Sequence, residues 1–379
     1  MKISFNLLAV FVFAFSFGFV QAQDTATLDT TTDTDATVTE ASTETEEQPS
    51  KKEKQLSYED LSKKAFSAAE AGDFEELEAS FNPHLFYTHN EAGETILTQA
   101  VKDGNVELVE FLEPHAVINI KNEEGETPLT LAIKAGNTEI IELVMQRAKA
   151  SLKNESGEAP LFLAIQHYDH LAFLKELIDS GADVNRPSNG VTPLSKAAEL
   201  GKLPVVALFI KNGADPSIAN ADGSIPLYIA VQNGQEQIAG MLLYTSKDIV
   251  KDANWSNALG EPILLIATDL GQTGIVQSLL RYGANPNGTD YMDNTALSVA
   301  ASIGNVHIMK VLLDSGADVN HQNMLGISPV LAAAEAEQYA AADYLVHNGA
   351  DKHVQSVAGF AATDYYSFSD TTPSSEMRP

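Results

Sequence analysis

Gly125-Glu126-Thr127-Pro128-Leu129-Thr130-Leu131-Ala132 is the stretch on which the fold turns. Thr127 offers a hydroxyl oxygen at a helix N-cap, and Pro128 suits the first helical position, where no amide hydrogen bond is lost. Leu129 and Ala132, three apart, then share one face of a short helix. Gly136 is placed to end that helix in a left-handed conformation. Apolar residues at Ile141 and Val144 predict a second helix behind it.

The pattern recurs outward in both directions. Its glycine position falls at Gly93, Gly125, Gly157, Gly190, Gly223, Gly260, Asp293, Gly326 and Gly359, in steps of 32, 32, 33, 33, 37, 33, 33 and 33 residues. Four residues on stand Leu97, Leu129, Leu161, Leu194, Leu227, Leu264, Leu297 and Val330; seven on, alanine recurs from Ala100 to Ala333. Thr192-Pro193 and Ser328-Pro329 repeat the capping pair. A second glycine follows eleven on, except at Tyr168 and Glu337. Several units close on a third signature, as in Gly181-Ala182-Asp183 and Gly316-Ala317-Asp318, and the next stretch is polar and turn-rich. The small alanine suits places where neighbouring helices approach closely.

A fixed period with an internal signature is the mark of a repeat array. Gly125–Ala132 together with Gly316-Ala317-Asp318-Val319-Asn320 resembles the ankyrin repeat family. The resemblance implies an all-α repeat solenoid, with two helices and a β-turn finger per about 33 residues. It spans roughly residues 58–366, with an N-terminal cap at 58–89, eight repeats at 90–355 and a C-terminal cap at 356–369. The family's histidine after Thr-Pro-Leu is missing: Thr98, Thr130, Phe162, Ser195, Tyr228, Leu265, Ser298 and Leu331 take its place. That histidine ties neighbouring turns together in the family, so this chain must bond its turns differently or less well. The 37-residue step adds four residues near Thr245–Trp255, which should lengthen one loop and disturb the stacking.

The flanks read differently. Lys2, an apolar run from Ile3 to Val20 and a small-x-small site at Val20-Gln21-Ala22 predict a secretory signal peptide over 1–22. Residues 23–57 form an acidic Thr/Asp/Glu-rich tether with too little apolar surface to offset the entropy of ordering. Asp29, Asp33 and Asp35 lack the glycine and closing glutamate of a calcium loop. Residues 370–379 read as a flexible tail. No later stretch is long and apolar enough to span a membrane. The address implied is the periplasm of a Gram-negative bacterium, or secretion.

Charge narrows the partner. The 379 residues hold 52 acidic and 23 basic side chains, a formal charge of −29. Such a surface repels nucleic acid and favours a protein with a basic surface. Zero cysteine excludes disulfides, thiolate metal ligation and thiol nucleophiles. No Walker loop, His-Glu-x-x-His or Gly-x-Ser-x-Gly is present. His167 and His170 are spaced to share a helical face but lack further ligands. The sequence therefore predicts a monomeric, non-catalytic protein-binding scaffold without a cofactor, one that inhibits or stabilises its partner; the alternative is an envelope-structural or glycan-binding protein. The resemblance implies binding through the finger tips and the face of the first helices. By position this gives Asn122, Glu124, Asn189, Asn220, Asp222, Trp255, Asp290, Tyr291 and Met324. Trp255 also suits packing of the inserted loop against its own repeat, and Asn220 suits a turn-building role.

Overall fold

The structure is a computed structural model that describes residues 57–368 apart from 83 and 169. The expected signal peptide, all but the last residue of the tether, and the tail lie outside the described residues.

Two helices recur eight times. The first helices are α3 (Ile96–Lys102), α5 (Pro128–Ala135), α7 (Pro160–His167), α9 (Pro193–Glu199), α11 (Pro226–Gln232), α14 (Ile263–Asp269), α16 (Ala296–Ser302) and α18 (Pro329–Glu335). The second helices are α4 (Val106–Leu112), α6 (Thr138–Met145), α8 (Leu171–Asp179), α10 (Leu203–Lys211), α12 (Glu236–Thr245), α15 (Thr273–Arg281), α17 (Val306–Asp314) and α19 (Tyr339–His347). Ahead of them stand α1 (Tyr58–Ala71) and α2 (Phe74–Ala79); after them, α20 (Ala362–Tyr365). Among the described residues no β-strand forms.

Helices this short are marginal alone, so stacking must stabilise them. Each first helix packs on the next, from α3 through α18 to α20. All eight repeat alanines are fully buried, which brings the backbones together, and the leucine positions beside them are no more than 2% exposed. At the N-terminal end Phe74 stacks on Phe111 with ring centres 4.8 Å apart. At the other end Tyr366 stacks on Tyr339 at 4.6 Å, and its hydroxyl donates to Asp343 Oδ2 at 2.9 Å.

Local chemistry sets the helix starts. Thr95, Thr127 and Thr295 cap the first helices reciprocally with Thr98, Thr130 and Ser298 three residues on. In those three repeats the position that lacks the family histidine is thus used to close the cap. Ser328 sits at the same N-cap, but its hydroxyl makes no capping bond, and Leu331 three residues on has no polar side chain to return one. Glu337 takes the left-handed turn of the second glycine at φ 56°, whereas Tyr168 leaves α7 in an extended conformation. Tyr168 also separates the two histidines: His167 ends α7, and His170 Nδ1 accepts from Phe173 N to cap α8. They do not share a helix.

Neighbouring repeats are bonded by asparagine. Asn185 donates to Gly213 O and accepts from Asp215 N. Asn287 does the same to Gly316 and Asp318, and Asn320 to Gly349 and Asp351. The four-residue insertion forms a short helix, α13 (Ile249–Ala253). Buried Asp252 receives the Ser246 hydroxyl at 2.6 Å, and Asn254 then bonds Gly283 O and Asn285 N. The insertion therefore rejoins the ladder, and both α11 on α14 and α12 on α15 stay packed. What opens is the line of fingers. A side chain at Gly125 or Gly190 would strike the next tip, at 2.1 Å from Glu155 and 2.6 Å from Ala221, whereas Gly223 and Gly260 face open space.

Candidate functional site

The opened fingers create a concave site. Between Asp222-Gly223-Ser224 and Ser256–Leu259 lies a recess of about 400 Å³ floored by Tyr228 and Trp255. The two rings lie 4.7 Å apart. Tyr228 also borders a wider groove of about 650 Å³ across α11, α14 and α16, lined by Glu261, Leu265, Asp269, Leu270 and Asp290. The wall is mixed: aliphatic and aromatic carbon, with three carboxyl groups and no basic side chain.

The meaning of those carboxyls comes from the equivalent places upstream. In the first repeat Glu94, one residue after the finger glycine, meets Lys102, nine residues after it, at 2.7 Å. In the second, Glu126 meets Lys134 at 2.5 Å. Burial opposes ionisation of Glu94, but bonds from Lys102, Asn122 and Thr98 outweigh it and hold the carboxyl below its ordinary range. In the sixth repeat the same two places carry Glu261 and Asp269. The carboxylate is kept and its cation is replaced by a second acid. Between residues 212 and 351 the basic side chains are Lys247, Lys251, Arg281 and Lys310; they lie on α13, the turn before it, α15 and α17. None is on a first helix or a finger.

The sequence-predicted positions separate into two kinds. Asn122 is buried; its Oδ1 accepts from Glu126 N and its Nδ2 donates to Glu94 Oε2. It builds the finger and is not presented at its tip. Asn220 accepts from Thr192 N across the repeat boundary, and Asp290 accepts from Met292 N and Asn294 N, so both organise turns, although Asp290 also lines the groove. Glu124, Asn189, Asp222, Tyr291 and Met324 are exposed. Trp255 is half-buried against Tyr228 of the repeat that carries the insertion, while its recess stays open. Glu124 and Asn189 lie on fingers other than those of the groove. Tyr228 and Asp269 were missed by sequence reading. Their signal is columnar: Tyr228 stands in the vacant histidine column, and Asp269 in the column of Lys102 and Lys134.

A profile described as ankyrin repeats (three copies) matches in overlapping windows from residues 66–154 through 263–356. The chain belongs to the ankyrin repeat family. These ankyrin repeats are similar over 124 residues, at 35% identity, to an ankyrin repeat and KH domain-containing protein of Caenorhabditis briggsae. They are similar over 124 residues, at 28% identity, to a palmitoyltransferase of Lachancea kluyveri. A putative ankyrin repeat protein of Escherichia coli is 29% identical over 134 residues. Each match covers about a third of this chain, at 32%, 32% and 34%. The aligned parts make up 4%, 17% and 66% of those relatives. Ankyrin repeats generally mediate protein–protein interaction. Among the described residues, no three His, Asp or Glu are grouped to hold a metal, and no helix is long and apolar enough to cross a membrane.

Proposed function

We propose that this ankyrin array is a monomeric, non-catalytic scaffold that binds a basic protein in the groove of its fifth to seventh repeats. One observation carries the reading: Glu261 and Asp269 occupy the two places that Glu94 and Lys102 fill in the first repeat. A lysine or arginine of the partner supplies the missing cation, and Tyr228 with Trp255 offers ring faces to it. The apolar run at 3–20 followed by Val20-Gln21-Ala22 supports export, so the partner is sought in the periplasm or outside the cell. Inhibition or stabilisation of that partner would follow from covering its basic surface.

The test is titration calorimetry with a short Ser/Arg peptide and its Ser/Gln counterpart. The Ser/Arg peptide should bind at low salt and weaken about tenfold or more as salt shortens the screening length. Glu261→Gln/Asp269→Asn should remove that preference. Equal binding of the two peptides, or binding indifferent to the substitutions, overturns the reading. Retention of polysaccharide without protein from an envelope fraction would favour the glycan alternative, to which the Tyr228–Trp255 pair lends one aromatic platform. Intact mass of the natural protein checks export; a mass that retains residues 1–22 would refute cleavage.

A further inference from the structure

The finger tips change chemistry along the array. The residue two before the finger glycine reads Glu91, Glu123, Glu155, Ser188, Ala221, Ala258, Tyr291, Met324 and Val357. At the far end this column is apolar and bare: Tyr291 is 65% exposed, Met324 66% and Val357 80%, with Leu325 beside them at 50%. These tips are fixed to one another. Met324 N donates to Met292 O at 3.0 Å, and Val357 N donates to Leu325 O at 2.9 Å. Four large apolar side chains therefore sit on one backbone-bonded line, one finger beyond the insertion. A contiguous apolar surface of this kind marks an interaction site, where isolated exposed residues would not.

The ridge runs along the seventh and eighth repeats, whose first helices and fingers carry no lysine or arginine, and ends on the cap finger, where Lys352 lies over the Phe368 ring. We infer that the last three fingers form an apolar docking ridge, and that its occupant is an amphipathic basic segment of a partner protein. Its apolar side chains lie on Tyr291, Met324, Leu325 and Val357, and its basic side chains turn toward the acidic first-helix face. The inference deepens the basic-partner reading and rests on it. Charge selects among occupants. An anionic lipid surface meets carboxylates beside the ridge and is repelled. A second copy of this chain brings its own acidic face against the first, so like charges oppose pairing. A wholly polar basic segment leaves the ridge wet and forgoes the hydrophobic contribution of the contact.

The test uses the full array and three peptides of equal length: Leu/Arg with amphipathic helical spacing, Ser/Arg of equal charge, and Leu/Gln without charge. The Leu/Arg peptide should bind about tenfold more tightly than Ser/Arg, as expected for buried apolar anchors. Part of its affinity should persist at about 1 M salt, where screening falls to about 3 Å. Tyr291→Ser/Met324→Ser should erase the preference for Leu/Arg and leave Ser/Arg binding unchanged. Equal affinities for Leu/Arg and Ser/Arg, or a preference that survives the double substitution, overturn the ridge while the basic-partner reading stands. Leu/Gln binding as tightly as Leu/Arg, or no binding of either arginine peptide, overturns both. A dimer in sedimentation that Met324→Ser dissociates assigns the ridge to a second copy and refutes the inference. Urea unfolding of the double variant should match the parent, since both side chains are exposed.

Discussion

Repeats one and two and repeat six share a backbone plan and differ in one column. Nine residues after the finger glycine stand Lys102, Lys134, Gln166, Glu199, Gln232, Asp269, Ser302 and Glu335. At the start of the array this column neutralises buried glutamates: the Glu94 side chain is 1% exposed and receives Lys102 and Asn122. In repeat six it adds an acid to the acid already there. The early acids are components of the fingers, bonded by neighbours of the same chain. Among the later ones Glu261 and Asp290 are likewise bonded by asparagine, Asn257 and Asn294, but with Asp269 they face a groove with no cation of its own. On the proposed reading the same total of −29 has two meanings, structural at one end and recognition at the other.

Removing the cation at the structural end should have the largest effect on stability. Lys102→Met removes the cation from a buried carboxylate and should cost about 2 kcal/mol, less than breaking a fully buried pair because Lys102 is 45% exposed and Asn122 still bonds Glu94, read as a lower urea midpoint at pH 7. Adding Glu94→Gln should recover most of it. The Glu94 carboxyl is held below its ordinary value. Its contribution is therefore present above that ordinary value and lost as pH falls below it, so the cost of Lys102→Met should shrink in acid. A loss under about 1 kcal/mol at pH 7 would put the pair among surface ion pairs and break the comparison.

The recognition end should answer in binding. Trp255→Ala removes the aromatic floor and should weaken the Leu/Arg peptide by about 2 kcal/mol, or roughly thirtyfold, as hot-spot truncations do. Calorimetry of binding alongside urea unfolding separates this from any loss of the Tyr228 stack.

Asp269→Lys is the sharpest exchange, because it rebuilds the first-repeat pair in the sixth. Binding of the Ser/Arg peptide at low salt should fall about tenfold. Stability should hold or rise by about 0.5 kcal/mol, the scale of a solvated ion pair. If binding is untouched, the missing-cation argument is wrong.

The smallest effect belongs beside the insertion. Lys247 Nζ lies 2.7 Å from Asp215 Oδ2, and that bond, followed by those from Ser217, lowers the aspartate to about 2. A depressed folded-state value stabilises above the ordinary aspartate range and fades as pH falls through about 2. Lys247 is mostly exposed, so Lys247→Met should cost only about 0.5 kcal/mol near neutrality and nothing measurable below pH 2. Urea midpoints across that window check it.

The order of helices was legible because each position has a local cause. Thr127-Pro128 starts a helix, Leu129 and Ala132 give it one apolar face, and Gly136 ends it. Trp255 was singled out by its residue type, and its dual setting, packed on Tyr228 beside an open recess, required the path of the insertion. Asp269 was hidden for another reason. It is unremarkable in its own helix and gains meaning only beside Glu261, whose relation to it follows the geometry of Glu94 and Lys102. Asn122 was misleading because a polar residue near a turn reads the same whether it faces water or folds inward to bond Glu94 and Glu126.

By itself the sequence determined the family, the period, the caps and the bias of charge, because these depend on contacts within one repeat or on composition. Only the tertiary structure decided how neighbouring repeats are bonded without the family histidine. It also decided that the insertion folds into α13 and rejoins the ladder through Asn254, and that the fingers part above Tyr228 and Trp255. Those outcomes depend on contacts between residues about one repeat apart, such as Asn254 with Gly283 and Asn285, where packing of one unit on the next selects among the conformations that local chemistry leaves open.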